Sequence, residues 1–145
     1  MTTIYVASSW KNDQFLDLVH ARLHKRGFET FDFRKGGRWW EHPDAAVEVD
    51  ARYGRARSQS GNAAFERDLG GMRLCEACLA VLPAGESLML EVGWFCGAGK
   101  PVVVWGRPRS PLDIMWLMVE EVDGGVLRLN DCLDGAIDQL VEIEL

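Results

Sequence analysis

Hydrophobic and polar positions follow two periods along this chain, and the switches between them mark the elements. Thr3–Ala7 (TIYVA) is a short apolar run rich in β-formers, which predicts a strand. From Asp13 to Lys25, apolar residues recur at Phe15, Leu16, Val19 and Leu23, a helical spacing. Asn12 stands where a cap would start that helix, and Gly27 stands where a glycine often ends one. Phe28–Phe33 alternates as FETFDF and predicts a second strand. Ala63 to about Leu74 returns to a helical period, with Phe65, Leu69 and Met72 along one side. Ala77–Leu82 is the predicted third strand, Leu88–Gly97 a helix and Val102–Trp105 the fourth strand. Pro111–Val119 suits a short helix, Val126–Leu129 a fifth strand and Leu133–Leu140 a closing helix.

Strands alternating with helices imply a parallel sheet covered on both faces. The expectation is an α/β fold: one flavodoxin/Rossmann-like, three-layer sandwich with a central parallel sheet of about five strands. The length of 145 residues fits a single domain spanning 1–145, and a hydrophobic fraction of 48% can fill its core. The stretch 34–59 breaks the pattern, being rich in Gly, Arg and Trp and without a period. Loops of that length in compact domains are often lids or binding loops, so it is expected to lie over the site.

Charge narrows the partners. A net charge of −6 and a pI near 5.0 argue against a nucleic-acid polymer or an anionic membrane surface. Arg34, Lys35, Arg38, Arg52, Arg55 and Arg57 nevertheless cluster in one segment. The plain reading is a solvated loop, and the sharper one is an attractor for an anionic ligand. The N-terminus enters a strand-like run directly, without the pattern of a signal peptide, and no apolar run approaches the roughly 18 residues a membrane span needs. A soluble cytoplasmic protein is expected, with Cys75, Cys78, Cys96 and Cys132 as reduced thiols.

Several motifs do not survive inspection. Gly93 to Lys100 superficially suggests a phosphate-binding loop, but its spacing is off and Pro101 stands where Ser or Thr should bind magnesium. Cys75 and Cys78 form a CxxC without a second ligand pair, so buried structural thiols are the better reading. His20 and His24 lie one helical turn apart without a third ligand and read as a solvated helix face. No GxSxG elbow is present. Neither a metal nor a cofactor is expected.

Three groups of side chains remain. The loop after the first strand carries Ser8, Ser9 and Trp10, next to Tyr5 and Ala7 on the strand. Asp68 lies on the helix before the third strand, in FERDLGGM. Ser87 and Glu91 flank the start of the helix after the third strand, where backbone N–H groups favour an anion or a hydroxyl-rich ligand. In open α/β sheets, ligands bind beyond the carboxyl ends of the strands, where these groups converge. Trp39, Trp40 and Tyr53 can stack on a flat ring. Blander roles compete: Asp68 paired with Arg67 or Arg73, Glu91 paired with a basic side chain, and the tryptophans in the core.

The series IYVASSW, FERDLGGM and GESLMLEVGWFCGAGKPVVV resembles the nucleoside 2-deoxyribosyltransferase superfamily, which includes the deoxynucleoside-monophosphate and cytidylate N-glycosidases. The resemblance covers most of the chain outside the Trp/Arg-rich loop. Its more specific part is the order Asp-Leu-Gly, then Ser-x-x-x-Glu-x-Gly, then Gly-Lys. More distantly, the chain is similar to small TIR-like proteins of related fold. The resemblance implies that Glu91 attacks or stabilises the anomeric carbon, that Asp68 assists proton transfer to the leaving base and that Tyr5 orients the glutamate. It implies a 5′-phosphate role for Ser87, and a position for Asp113 near the 5′ end of a ligand in a neighbouring subunit, hence a homo-oligomer. Ser8, Ser9, Trp10, Arg34, Trp40, Gly93 and Met115 complete the expected substrate-binding set, around a small nucleoside or nucleotide.

The chemistry suits these residue types. Breaking an N-glycosidic bond develops positive charge on the sugar, which a carboxylate stabilises, while the leaving base needs a proton from a second carboxyl. Two departures leave the substrate open. Gly85 and Glu86 occupy the region where the transferase branch carries a base-contacting acid. Asp113 favours a free 5′-hydroxyl over a phosphate, whereas Arg34 or Arg38 can neutralise Asp113 or bind a phosphate directly. The function expected is cleavage or exchange of the N-glycosidic bond of a (deoxy)nucleoside or nucleoside monophosphate. The alternatives are a TIR-like NAD glycohydrolase or signalling module, and a non-catalytic module binding a nucleotide or a protein.

Overall fold

A computed structural model describes residues 1–43, 59–106 and 127–143. The elements are β1 (Thr3–Ala7), α1 (Asp13–Lys25), β2 (Glu29–Asp32), α2 (Gln59–Leu74), β3 (Ala77–Val81), α3 (Glu86–Gly97), β4 (Val102–Trp105), β5 (Leu127–Asn130) and α4 (Leu133–Glu142). The strands form one sheet in the order β2-β1-β3-β4-β5, and every pair is parallel. This is the flavodoxin-like order, whose winding reverses between β1 and β3.

Strand alternation sorts the side chains into two layers. Ile4, Val6, Leu79, Val81 and Val103 face Leu16, Val19 and Leu23 of α1 and Ala136, Ile137 and Leu140 of α4. Tyr5, Ala7, Cys78, Ala80, Val102 and Val104 face Met72 of α2 and Leu88, Val92 and Phe95 of α3. The central strands β1, β3 and β4 are apolar on both faces because both are covered. Tyr5 is therefore the polar exception in the second layer.

The helix boundaries depart from the hydrophobic pattern where polar residues carry the first turns. Helix α2 is already formed at Gln59, ahead of Ala63, and α3 begins at Glu86, ahead of Leu88. Ser87 consequently lies inside the first turn of α3. Phe65 is not on the buried side of α2 but 60% exposed, while Met72 is buried. Gly27 ends α1 as expected, at φ +87°, a conformation that favours glycine.

Two expectations on α1 are corrected. Asn12 occupies the cap position, but its side chain makes no capping hydrogen bond and points into the loops beyond the strands. His20 is not solvated: it is 8% exposed, and its Nδ1 lies 2.8 Å from the Thr30 hydroxyl. The same hydroxyl lies 2.9 Å from His24 Nε2, so β2 ties both imidazoles, although His24 remains exposed. The expected short helix at 111–119 lies outside the described residues, as do Arg52, Tyr53, Arg55, Arg57, Asp113 and Met115. Among the described residues, no helix is long and apolar enough to cross a membrane.

Candidate active site

Near the winding reversal between β1 and β3, side chains from β1, α2 and α3 come together on the face of the sheet that α2 and α3 cover. The Tyr5 hydroxyl donates to Glu91 Oε1 at 3.1 Å. Its ring is held by stacking on Phe31, with centroids 5.2 Å apart and planes 9° from parallel, and by Phe95 at 5.5 Å. Tyr5 and Phe31 are register partners on adjacent parallel strands, so the sheet itself sets the stack. A rigid phenol thus aims one donor at one carboxylate.

Glu91 is pushed up to about 7, by burial first and by the negative charge of Asp68, while the Tyr5 hydrogen bond pulls it back. Asp68 is also raised, by burial, and Arg67 opposes the rise. Tyr5 is raised by burial and by the charges of both carboxylates, so the phenol stays protonated and remains a donor. These mutual effects place Tyr5, Glu91 and Asp68 within electrostatic reach of one another. Two carboxyl groups that disfavour simultaneous ionisation are suited to different proton states in one pocket.

Asp68 opens onto a cavity of about 890 Å³, which Trp39, Asn62, Phe65 and Glu66 also line. That volume is in the range of small-molecule sites. The exposed ring of Phe65, unexplained as a core residue, forms part of this wall.

The loops at the reversal are tied together by one buried amide. Asn12 Nδ2 donates to Ser8 Oγ at 2.9 Å and to the Pro83 carbonyl at 2.7 Å, while Ser8 Oγ donates to the Val81 carbonyl at 3.0 Å. Ser8 and Asn12 therefore fix the loop after β1 against the loop after β3. Ser9 is turned to a local role, its Oγ accepting from the Lys11 amide at 3.2 Å.

The tryptophans form an edge-to-face group rather than a stacking pair. Trp10 meets Phe33 and Trp40, each with centroids 5.4 Å apart, and Trp39 meets Trp40 at 6.0 Å. The Arg38 guanidinium covers the Trp10 ring at 5.4 Å. Trp40 stays partly exposed.

Some expected site residues are not gathered in. Arg34 is enclosed by carboxylates: Asp32 at 2.8 and 2.9 Å, Asp17 at 2.9 Å and Asp13 as a further partner. These partners lie on β2 and α1, and they occupy the donors a phosphate would need. Ser87 is exposed one turn ahead of Glu91 on α3. Gly93 faces open space two residues beyond Glu91, which puts it on a different side of the helix.

Lys100 explains the Gly-Lys pattern without a phosphate. Its ammonium donates to the Met72, Arg73 and Cys75 carbonyls at 3.0, 2.7 and 2.7 Å, capping the C-terminus of α2. It also lies 5.5 Å from the Trp94 ring centre, so one residue locks α2 to α3. Among residues given no role from sequence, Phe31 and Lys100 are the ones on which the site geometry depends. The FETFDF alternation put Phe31 on a strand, but only strand order shows that Tyr5 is its neighbour.

No protein-family profile and no curated protein sequence matches the chain. Solved structures do. A 2-deoxyribosyltransferase from the psychrotolerant bacterium Bacillus psychrosaccharolyticus aligns over 94% of this chain and 91% of its own, with a TM-score of 0.63 and 17% identity. A CMP N-glycosidase from Clostridium botulinum aligns over 97% and 99%, with a TM-score of 0.58 and 13% identity. A conserved protein from Enterococcus faecalis V583 aligns over 96% and 87%, at 0.50 and 16%. At these identities the shared property is the fold, over nearly the whole length of each chain.

Proposed function

We propose that this protein cleaves or exchanges the N-glycosidic bond of a (deoxy)nucleoside or nucleoside monophosphate. The observation that carries the reading is the half-buried Tyr5–Glu91 hydrogen bond beside a second carboxyl, Asp68, near the reversal of an α/β sheet. Similarity of fold to a 2-deoxyribosyltransferase and a CMP N-glycosidase supports the same chemistry.

In this reading Glu91 acts as a carboxylate against the anomeric carbon, where positive charge develops as the bond to the base lengthens. Tyr5 holds one oxygen of Glu91 and leaves the other free to face the sugar. Asp68, in its protonated form, gives its proton to the departing base. Water then completes hydrolysis, or a second base completes exchange. Ser87 and the N–H groups of the first turn of α3 receive the 5′ end of the ligand. Trp10 and Trp40 border the base. A small nucleoside or nucleotide is the partner, with Asp113 near its 5′ end and Met115 among the residues that bind it, and a homo-oligomer completes the site.

The test is a panel of deoxynucleosides, ribonucleosides, their monophosphates and NAD, assayed for free base by chromatography. Release of base from a nucleoside or monophosphate, lost in Glu91→Ala, is the expected result. Release of nicotinamide from NAD alone would move the carboxylate to a different substrate. No release from any compound would overturn the reading.

A further inference from the structure

We propose that Arg67 is a positioning residue for Asp68, whose two N–H contacts hold the carboxylate and govern when it can take up the proton a leaving base needs. The proposal rests on the N-glycosidic reading only for the word base; the contact and its effect on Asp68 stand apart from it.

Arg67 Nε and Nη2 lie 3.3 and 3.2 Å from Asp68 Oδ1. Adjacent residues on a helix point in divergent directions, so such a pair does not ordinarily meet. Here the guanidinium is brought round by a third contact, Nη2 to the Phe33 carbonyl at 3.2 Å. It also fills the space over Gly36: a β-carbon added there would fall on Arg67 Nη1. The 3-10 turn Phe33–Gly36 at the end of β2 is thus shaped around this side chain.

The contact acts on one protonation state. An ionised Asp68 accepts both N–H groups beside a positive charge, whereas a protonated carboxyl forfeits the charge-assisted part of that interaction. Among the described residues, the titratable and charged groups around Asp68 are Arg67 and Glu66 from its own helix, the latter on the wall of the same cavity, Glu91 from α3 and the Tyr5 phenol from β1. Arg67 is the cation among them, and it opposes the burial that favours the acid form. Proton uptake by Asp68 therefore requires this contact to weaken, which links the acid to the turn that starts the Trp/Arg-rich segment.

The experiment is a pH titration of the Asp68 carboxyl by carbon-13 NMR in the full chain, with circular dichroism as the check on folding. Arg67→Gln is expected to raise the midpoint by about one pH unit or more, the usual effect of losing an adjacent opposite charge. Arg67→Lys restores most of the shift. Gly36→Ala, which changes no charge and only displaces the guanidinium, raises the midpoint in the same direction by less. An unmoved midpoint in folded Arg67→Gln overturns the proposal; if that variant does not fold, an unmoved midpoint in Gly36→Ala does. Absence of base release by the unaltered protein would remove the proposed function and leave the titration able to decide this question.

Discussion

The Tyr5 hydroxyl donates to Glu91 Oε1 over 3.1 Å, joining residues 86 positions apart in the chain. It is the interaction that works against the burial of Glu91, and its loss has a defined sign. In Tyr5→Phe, Glu91 rises further above its present value near 7. The acid-side limb of the pH–rate profile, set by ionisation of Glu91, is expected near pH 7 in the unaltered protein and higher in the variant. Activity at pH 7 should fall about fivefold and recover at higher pH, as a shift of about one unit from a midpoint near 7 dictates. A fall that is equal at every pH would contradict this role.

Glu91 itself burdens the fold. Its folded value of about 7 exceeds an ordinary 4.5, so between those limits the folded state binds the proton more tightly. Stability contributed by the protonated form is complete below pH 4.5 and is lost as pH rises towards 7, a change on the order of 3 kcal/mol. Glu91→Gln removes the titrating group. It should unfold at a higher temperature than the unaltered protein at pH 8, with the gain vanishing near pH 4, while base release falls at least a hundredfold. Calorimetry at the two pH values measures the first effect.

Asn12 is 6% exposed and bridges both loops at the reversal of the sheet. Asn12→Ala leaves the Pro83 carbonyl without this donor and should cost about 1–3 kcal/mol in urea denaturation. Asn12→Asp should cost more, because a carboxylate would then face that carbonyl. Equal stability of all three proteins would remove Asn12 as the tie between the loops.

Lys100→Met preserves the length of the side chain and abolishes three N–H···O contacts at the end of α2. A loss of about 2 kcal/mol, or a fall in Tm of roughly 5 °C, is expected. A phosphate-binding role would predict instead a loss of nucleotide affinity at unchanged Tm.

Gly71→Ala tests the support behind Tyr5. An added β-carbon would lie 2.6 Å from the Phe31 ring, which stacks on Tyr5. Displacement of that ring should lower activity at unchanged helix content, and the smaller Phe31→Leu side chain should relieve part of the loss in the double variant.

The order of strands and helices was legible because apolar periods switch cleanly, and β1, α1 and β4 begin and end where the pattern puts them. Helix starts were less legible, because Gln59 and Glu86 are polar and a hydrophobic period detects a helix only from its first buried residue. Glu91 stood out in the sequence as a carboxylate among apolar residues, whereas Asp68, flanked by Glu66 and Arg67, was picked out by the order of the motifs around it.

Composition and periodicity thus determined the layers, the parallel sheet and the strand ends at which a ligand would sit. Tertiary structure decided the partners, because each is set by contacts between segments distant in sequence. Arg34, read from sequence as a solvated or anion-attracting side chain, is enclosed because Asp32 at the end of β2 lies beside Asp13 and Asp17 of α1. His20, solvated by spacing, is buried because Thr30 lies across from it. Tyr5 meets Glu91 only because β1 lies between β2, which positions Phe31, and β3, which leads into α3. A side chain's chemical type is local, but its charge state and its neighbours belong to the folded pocket.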